Sequence, residues 1–203
     1  LPKTAWPPTS QGDIDWAAVA ADGVDFAIIR LGYRGYTQGA IQTDSCFYQN
    51  IQGALDAGLD VGVYFFSQAI TPEEARQEAD YVLSLLESYP ITCPVVYDWE
   101  PITFAEGART DQLENEVLTQ CAAAFCQQIA QAGYTPAVYF NQEMGYFSFD
   151  LKELSPFQFW LAEYDSYPSF YYGFTMWQYT HEGRVDGIQT PVDWNLDFSG
   201  LKR

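Results

Sequence analysis

The segment 95–101 (VVYDWEP) contains two carboxylates that lie two residues apart. Its β-branched start predicts a short strand, and Pro101, which has no N–H to donate, marks the carboxyl end of that strand. Because alternate side chains of a strand point to the same face, Asp98 and Glu100 should lie side by side, with Cβ atoms roughly 6.5–7 Å apart.

Two carboxylates in this position repel each other and are costly to desolvate, so one of them should hold a proton near neutral pH. A protonated carboxyl next to an ionised one suits general acid catalysis. The spacing fits equally well with two solvated acids at a strand end, which are common in a chain with 27 acidic residues. Rotamer choice allows the two carboxyl groups to lie about 5–5.5 Å or about 6.5–9.5 Å apart, so the spacing alone does not fix how the pair would act.

The composition predicts one globular domain, residues 1–203. Hydrophobic residues make up 48% of the chain, which excludes disorder. The formal net charge of −18 excludes nucleic acid and anionic membranes as partners, because both attract Lys and Arg. No apolar stretch is long enough to span a bilayer, and no signal-peptide pattern opens the sequence. We expect a monomer.

Residue types suited to metal or cofactor chemistry are scarce. His181 is the only histidine, which excludes a His-rich zinc site, and its surroundings predict a turn on the surface. There is no Cys-x-x-Cys pair and no glycine-rich phosphate loop, so we expect no metal and no cofactor. The four cysteines are expected to be free, although Cys46 and Cys93 could pair if the fold brought them together.

Short apolar runs alternate with helical patterns, which predicts a parallel sheet with right-handed crossovers, open or closed into a barrel. One helix follows a cap at Asp44 and ends at Gly58, and another begins with the capping box of Thr71 and Glu74. A third covers about 111–132, and the tail after 174 leaves little room for helices. The predicted strands cover 24–31, 61–67, 95–100, 137–141, 159–164, 174–179 and 192–197.

Polar and aromatic residues gather at the carboxyl ends of these strands, where parallel-sheet enzymes place their chemistry. Acids, amides and tyrosines that converge at one rim would suit a sugar-binding groove, although ordinary packing would also account for the aromatic residues. We prefer packing for Phe65, Tyr97 and Trp99, which alternate away from this face. The rim candidates are Tyr64, Ser67, Asp98, Glu100, Tyr139, Asn141, Glu163, Tyr164, Gln178, Tyr179, Asp193 and Asn195.

A set of short motifs, in matching order and spacing, resembles the family 25 glycoside hydrolases, the lysozyme-type N-acetylmuramidases that cut bacterial peptidoglycan. The motifs are 11–16 (QGDIDW), 26–30 (FAIIR), 44–62 (D-x-x-F-x-x-N-x-x-x-A-x-x-A-G-L-x-V-G), 63–67 (VYFFS), 74–75 (EA), 97–100 (YDWE), 133–139 (GYTPAVY), 159–162 (FWLA), 176–179 (MWQY) and 192–195 (VDWN).

The resemblance implies an irregular, TIM-like β/α barrel whose last strands lack full helices. It implies hydrolysis of the β-1,4 bond between N-acetylmuramic acid and N-acetylglucosamine by a secreted or cell-wall associated enzyme. Glu100 would then be the general acid and Asp98 would orient the N-acetyl group of the substrate, which acts as the nucleophile. Asp193 would be a further acidic contact. The sugar groove would be lined by Tyr64, Tyr139 and Gln178.

One departure concerns the first strand, which in this family has the form G-I-D-V-S and carries an active-site aspartate. Trp6 takes the place of that aspartate and is followed by Pro7 and Pro8. Because consecutive prolines do not fit within a paired strand, we expect the first strand to be missing, shortened or rerouted, with an exposed sheet edge.

Three functions remain open from the sequence. The first is a muramidase that uses Glu100 and Asp98. The second is a glycan-binding module of the same fold, catalytically weakened by the missing aspartate. The third is an enzyme of the same chemistry that acts on another N-acetylhexosamine polymer.

Overall fold

The computed structural model describes residues 13–200 and, for the backbone alone, residues 3–6. Strands and helices alternate through most of this part of the chain, as predicted. The strands are β1 (Lys3–Trp6), β2 (Phe26–Arg34), β3 (Ile41–Thr43), β4 (Asp60–Phe66), β5 (Val95–Asp98), β6 (Pro136–Asn141), β7 (Gln158–Ala162), β8 (Met176–Gly183) and β9 (Val192–Asp197). The helices are α1 (Trp16–Ala21), α2 (Phe47–Asp56), α3 (Pro72–Leu86), α4 (Asn115–Gln131) and α5 (Gln142–Phe147).

The strands form one curled sheet in a mixed α/β fold. From β2 through β4, β5, β6, β7 and β8, neighbouring strands are parallel, and β9 then runs antiparallel to β8. Strand β3 extends the sheet beyond β2 as an antiparallel neighbour. The parallel order places the carboxyl ends of five neighbouring strands on the same rim as the end of β5.

Strand β1 corrects the expectation of an exposed edge. It pairs antiparallel with β9 over four residue pairs and parallel with β2 at Thr4 and Phe26, so both of its sides are occupied. The strand is short, as expected, and ends at Trp6, directly before Pro7. The two prolines themselves lie outside the described residues.

Alternation along the strands separates two apolar layers. Inside the curl lies a smaller cluster that includes Phe26, Tyr64, Val96, Tyr139 and Trp160. The larger core lies between the outer face of the sheet and the helices. It contains Phe65, Tyr97 and Trp99, which confirms their assignment to packing. Asp98, two residues after Val96, shares the inner face.

The helix signals of the sequence are confirmed with small shifts. Thr71 accepts a hydrogen bond from the N–H of Glu74, and Glu74 Oε2 accepts from the N–H of Ile70 rather than from that of the cap residue. Asp44 lies two residues before the N-cap of α2, Cys46, and accepts from its N–H. Gly58 has a φ of 81°, as a glycine after a helix end commonly has.

Other expectations concern single residues. His181 is exposed as predicted, but it lies in β8 rather than in a turn. The four cysteines are free; Cys93, Cys121 and Cys126 are buried and Cys46 is half-buried, so Cys46 and Cys93 are not paired. In the described part of the chain no helix is long and apolar enough to cross a membrane, and no cluster of potential metal ligands is present.

Candidate active site

The two neighbouring acids differ in their surroundings. Asp98 ends β5 and is 2% exposed, and its Oδ1 has no hydrogen-bond partner among the described residues. Burial and then repulsion from Glu100 raise the pKa of Asp98 well above its usual range, against the opposing charge of Arg30. Glu100 is only half-buried, and burial raises its pKa as well. The pair therefore retains a proton at pH values where isolated carboxyls are ionised.

Arg30 supplies the positive charge near this pair. It lies where the β2–β4 register shifts, between Arg30 and Gly32, and such irregularities redirect side chains next to functional sites. Its guanidinium carbon is 4.9 Å from the ring centre of Tyr33 and 5.8 Å from that of Phe66, and Nε is 3.9 Å from Asp44 Oδ2. The sequence placed Arg30 in a family motif without assigning it a role.

An amide joins two tyrosines beside the acids. Gln178 Oε1 accepts hydrogen bonds from the hydroxyl of Tyr139 at 3.2 Å and from that of Tyr164 at 2.7 Å. Burial, with the charges of Glu100 and Asp98, raises the pKa of Tyr139 well above its usual range. Tyr139 and Gln178 are buried, whereas half of Tyr164 is open to solvent.

Asp193 reaches the same group of residues from β9. Burial raises its pKa to about 6, with His181 opposing this shift and Glu100 adding to it. The ring of His181 lies 4.6 Å from that of Tyr164. Trp6 is the register partner of Asp193 on β1, so the position expected to hold an aspartate is next to Asp193 along the sheet.

The structure thus brings together five of the six predicted site residues through hydrogen bonds or electrostatic interactions: Asp98, Glu100, Tyr139, Gln178 and Asp193. The sixth, Tyr64, packs in the inner apolar cluster with Tyr139. Tyr164, one of the broader rim candidates, also joins this group.

Four other rim candidates instead support the fold. Ser67 donates to the buried Glu78, and Asn141 accepts from the N–H of Met144 as the N-cap of α5. Glu163 accepts from the N–H groups of Ser169 and Phe170. Asn195 accepts from the indole of Trp160 at 2.8 Å. These side chains share the rim but are occupied by backbone or core partners.

A buried amide fixes the backbone of Glu100. Gln68 Nε2 donates to the carbonyl oxygen of Glu100 at 3.2 Å, and Gln68 Oε1 accepts from Thr110 at 2.7 Å. Arg109 donates to the carbonyl oxygen of Gln68 and to Glu74 Oε1. Sequence reasoning missed this network, because it joins segments 32 residues or more apart.

A second hydrogen-bond network holds the backbone of Asp98 in place. The N–H of Ser67 donates to the Asp98 carbonyl at 2.7 Å, and the Ser67 hydroxyl donates to Glu78 at 2.6 Å. Glu78 also pairs with Arg34 at 2.6 Å, and burial raises its pKa to about 7. A signal for Glu78 existed in the sequence, since it lies on the apolar face of α3 with Ala75, Ala79 and Val82.

Two carboxyl groups with raised pKa values, tyrosines and an amide at the carboxyl end of a strand form the kind of site that glycoside hydrolases use. One carboxyl can give a proton to a glycosidic oxygen while the other acts as an acceptor or stabilises charge. The surrounding rings and amide can hold sugar faces and hydroxyl groups.

The chain belongs to the glycosyl hydrolases family 25, whose family model matches residues 9–188. It is 29% identical over 203 residues to lysozyme M1 of Streptomyces globisporus, covering 94% of this chain and 65% of the relative. It is 27% identical over 194 residues to an autolytic lysozyme of Clostridium acetobutylicum, covering 95% of this chain and 55% of that relative. The chain thus spans between half and two thirds of the length of these relatives.

Among solved structures, the fold is similar to that of the modular autolysin LytC of Streptococcus pneumoniae in complex with a synthetic peptidoglycan ligand. The TM-score is 0.74 and the identity is 25%, covering 96% of this chain and 46% of the autolysin.

Proposed function

We propose that this chain is the catalytic domain of a peptidoglycan hydrolase that cleaves the β-1,4 bond between N-acetylmuramic acid and N-acetylglucosamine. The observation that carries this proposal is the pair of interacting acids, of which Glu100 is half-buried and Asp98 is almost fully buried. The names of the two lysozyme relatives and the peptidoglycan ligand of the autolysin structure support the substrate. We also interpret the curled sheet as an irregular β/α barrel of one domain.

Glu100 is the general acid in this proposal, because it is the more accessible carboxyl and still has a raised pKa. It gives its proton to the leaving glycosidic oxygen while the N-acetyl carbonyl oxygen of the substrate attacks the anomeric carbon. Water then attacks the same carbon, and its proton returns to the Glu100 carboxylate. The N-acetyl oxygen leaves the anomeric carbon in this second step.

Asp98 orients the N-acetyl group by accepting its N–H, a role suited to a buried carboxylate oxygen that has no partner in the described residues. Arg30 favours the ionised form of Asp98. Asp193 adds an acidic contact, and Tyr64, Tyr139 and Gln178 line the groove. One chain supplies all of these groups, so a monomer suffices. Because the proposed substrate is a cell-wall polymer, we place the enzyme outside the cell or at the cell wall.

The test uses purified peptidoglycan and measures the release of new reducing ends. We expect Glu100→Gln to lower this release by at least about 100-fold. Glu87→Gln is the matched control, because Glu87 is exposed at the end of α3 and should leave cleavage unchanged. Full cleavage by the Glu100 variant would show that another group is the acid.

A second candidate function is a glycan-binding module with weakened catalysis. The observation that favours it is the register of Trp6 opposite Asp193, where the family pattern leads us to expect an aspartate. Binding of peptidoglycan without release of reducing ends would establish this function. Cleavage that appears only in Trp6→Asp would show that the missing carboxylate is the cause.

A further inference from the structure

A cleft of about 570 Å³ opens on the outer side of the sheet, between α5, the segment after it and the start of β7. Its lining includes the aromatic side chains of Tyr146, Phe149, Phe159 and Tyr172. Phe159 belongs to the outer core, whereas its neighbour Trp160 belongs to the inner cluster. The sheet therefore separates this cleft, which we call the outer cleft, from the acidic pair.

Exposed aromatic rings concentrate around the outer cleft. Phe147 is 74% exposed and Tyr171 is 84% exposed, and Tyr146 and Tyr172 are also exposed. A group of large exposed rings commonly marks a binding surface, whereas scattered ones do not. The volume also lies within the range of small-molecule sites, about 300–1,000 Å³.

The rings are held in place before any ligand arrives. The N–H of Tyr171 donates to the hydroxyl of Tyr146 at 2.9 Å. The ring centres of Tyr146 and Phe170 are 4.7 Å apart, and those of Tyr171 and Tyr172 are 5.3 Å apart. Fixed rings lose little conformational entropy on binding.

Glu163 fixes the segment that carries two of these tyrosines. Its carboxylate accepts from the N–H of Ser169 at 2.9 Å, from the Ser169 hydroxyl at 2.6 Å and from the N–H of Phe170 at 3.2 Å. These bonds explain how a segment without helix or strand can present an ordered aromatic surface.

Polar groups border the rings. Asp150, Lys152 and Ser155 line the outer cleft, and an adjoining cleft of about 310 Å³ shares Tyr146, Phe149 and Asp150 with it. Among the described side chains Lys152 is the only lysine, and it forms no ion pair with another described residue. The two clefts together thus offer flat apolar faces with hydrogen-bond donors and acceptors at their edges.

We propose that the outer cleft is a second glycan-binding site that holds a strand of N-acetylated hexosamines away from the acidic pair. Sugar rings have apolar faces for the tyrosines and hydroxyl or amide edges for Asp150 and Ser155, and Lys152 can bind a carboxylate of the attached peptide. The net charge of −18 opposes binding to anionic lipid. The identity of the polymer rests on the proposed function.

The test measures binding to insoluble peptidoglycan by sedimentation, in a Glu100→Gln background that prevents turnover. We expect Tyr172→Ala and Tyr171→Ala each to weaken binding about fivefold to tenfold, and Tyr172→Phe to retain it. Tyr48→Ala is the matched control, because Tyr48 is 53% exposed on α2, away from the outer cleft. Tyr171, being almost fully exposed, can be replaced without opening the core.

A second measurement uses the active enzyme and a short soluble peptidoglycan fragment. Cleavage of this fragment should be unchanged in Tyr171→Ala, while cleavage of the insoluble polymer at low enzyme concentration should fall about fivefold. Equal binding of all variants to the polymer would overturn the inference, as would an equal loss in Tyr48→Ala. A dimer that Tyr171→Ala dissociates, with no effect on polymer binding, would also overturn it. If the parent protein binds peptidoglycan through the outer cleft but does not cleave it, the hydrolase proposal is wrong and the second binding site stands.

Discussion

Replacing Asp98 by asparagine should move the alkaline limb of the pH–rate profile to lower pH. Glu100 must be protonated to act, so activity falls as the pH rises through its pKa. Two charges about 7 Å apart interact by about 2.4 kcal/mol at an effective dielectric constant of about 20. Removal of the Asp98 charge therefore lowers the pKa of Glu100, and the limb should shift by about 1.7 pH units.

The same substitution should also remove the acidic limb that belongs to the pair. With two interacting carboxyls the reactive form carries one proton, so activity is lost on both sides of a window. In the Asp98→Asn variant one carboxyl of the pair remains, and its titration gives only the alkaline limb. Asp193 also interacts with Glu100, and its ionisation is common to both proteins.

The assay is kcat/KM for a soluble peptidoglycan fragment between about pH 3 and pH 9, for the parent, Asp98→Asn and the exposed control Glu87→Gln. The control should reproduce the parent profile. If both limbs persist in Asp98→Asn at their original positions, the two acids do not share a proton and the proposed electrostatics are wrong.

Three further predictions concern residues around the site. Gln68→Leu should lower kcat about tenfold and leave KM nearly unchanged, because the backbone of Glu100 loses its hydrogen bond from the Gln68 amide. Steady-state kinetics on the soluble fragment test this, and a change in KM alone would contradict it. Arg34→Met should lower the free energy of unfolding by about 3–5 kcal/mol, because the buried carboxylate of Glu78 loses its ion-pair partner. Urea denaturation tests this, and a loss below about 1 kcal/mol would refute it. Asp193→Asn should raise the free energy of unfolding at pH 7 by up to about 3 kcal/mol. The folded-state pKa of about 6 means that the parent loses this stability as the pH rises from about 4 through 6. The difference in melting temperature between pH 4 and pH 7 should therefore be smaller in the variant than in the parent, and an unchanged difference would exclude this role.

Much of the fold could be predicted, because it depends on local signals. The alternation of apolar and polar residues over 192–197 predicts the bounds of β9 that the structure has, and the cap at Thr71 predicts the start of α3 at Pro72. The strand β3 was missed because its three residues carry too short a pattern. The first strand is short, as predicted, but the exposed edge was wrong, because β1 ends before the two prolines and pairs on both sides.

The acidic pair could be predicted because two residues on one strand need only the strand period to become neighbours. The side chains that support this pair could not. Gln68 contacts Glu100 across 32 residues of sequence, and Arg34 contacts Glu78 across 44. A pattern within one helix or strand does not predict such contacts. The outer cleft was missed for a related reason, since its rings come from α5 and from a segment without a regular period.

The pairing of β1 with β9 has a consequence for the order in which the molecule assembles. Thr4 and Asn195 are partners although about 190 residues separate them, so their contact carries the largest loop-closure entropy among the described strand pairs. The parallel strands from β2 to β8 can stack on one another beforehand. Asp193 lies on β9 between β8 and β1, so a chain that has collapsed but not yet joined its two ends would hold this third acid through β8 alone, without its register partner Trp6. Catalytic competence should therefore appear after most of the secondary structure in a refolding experiment.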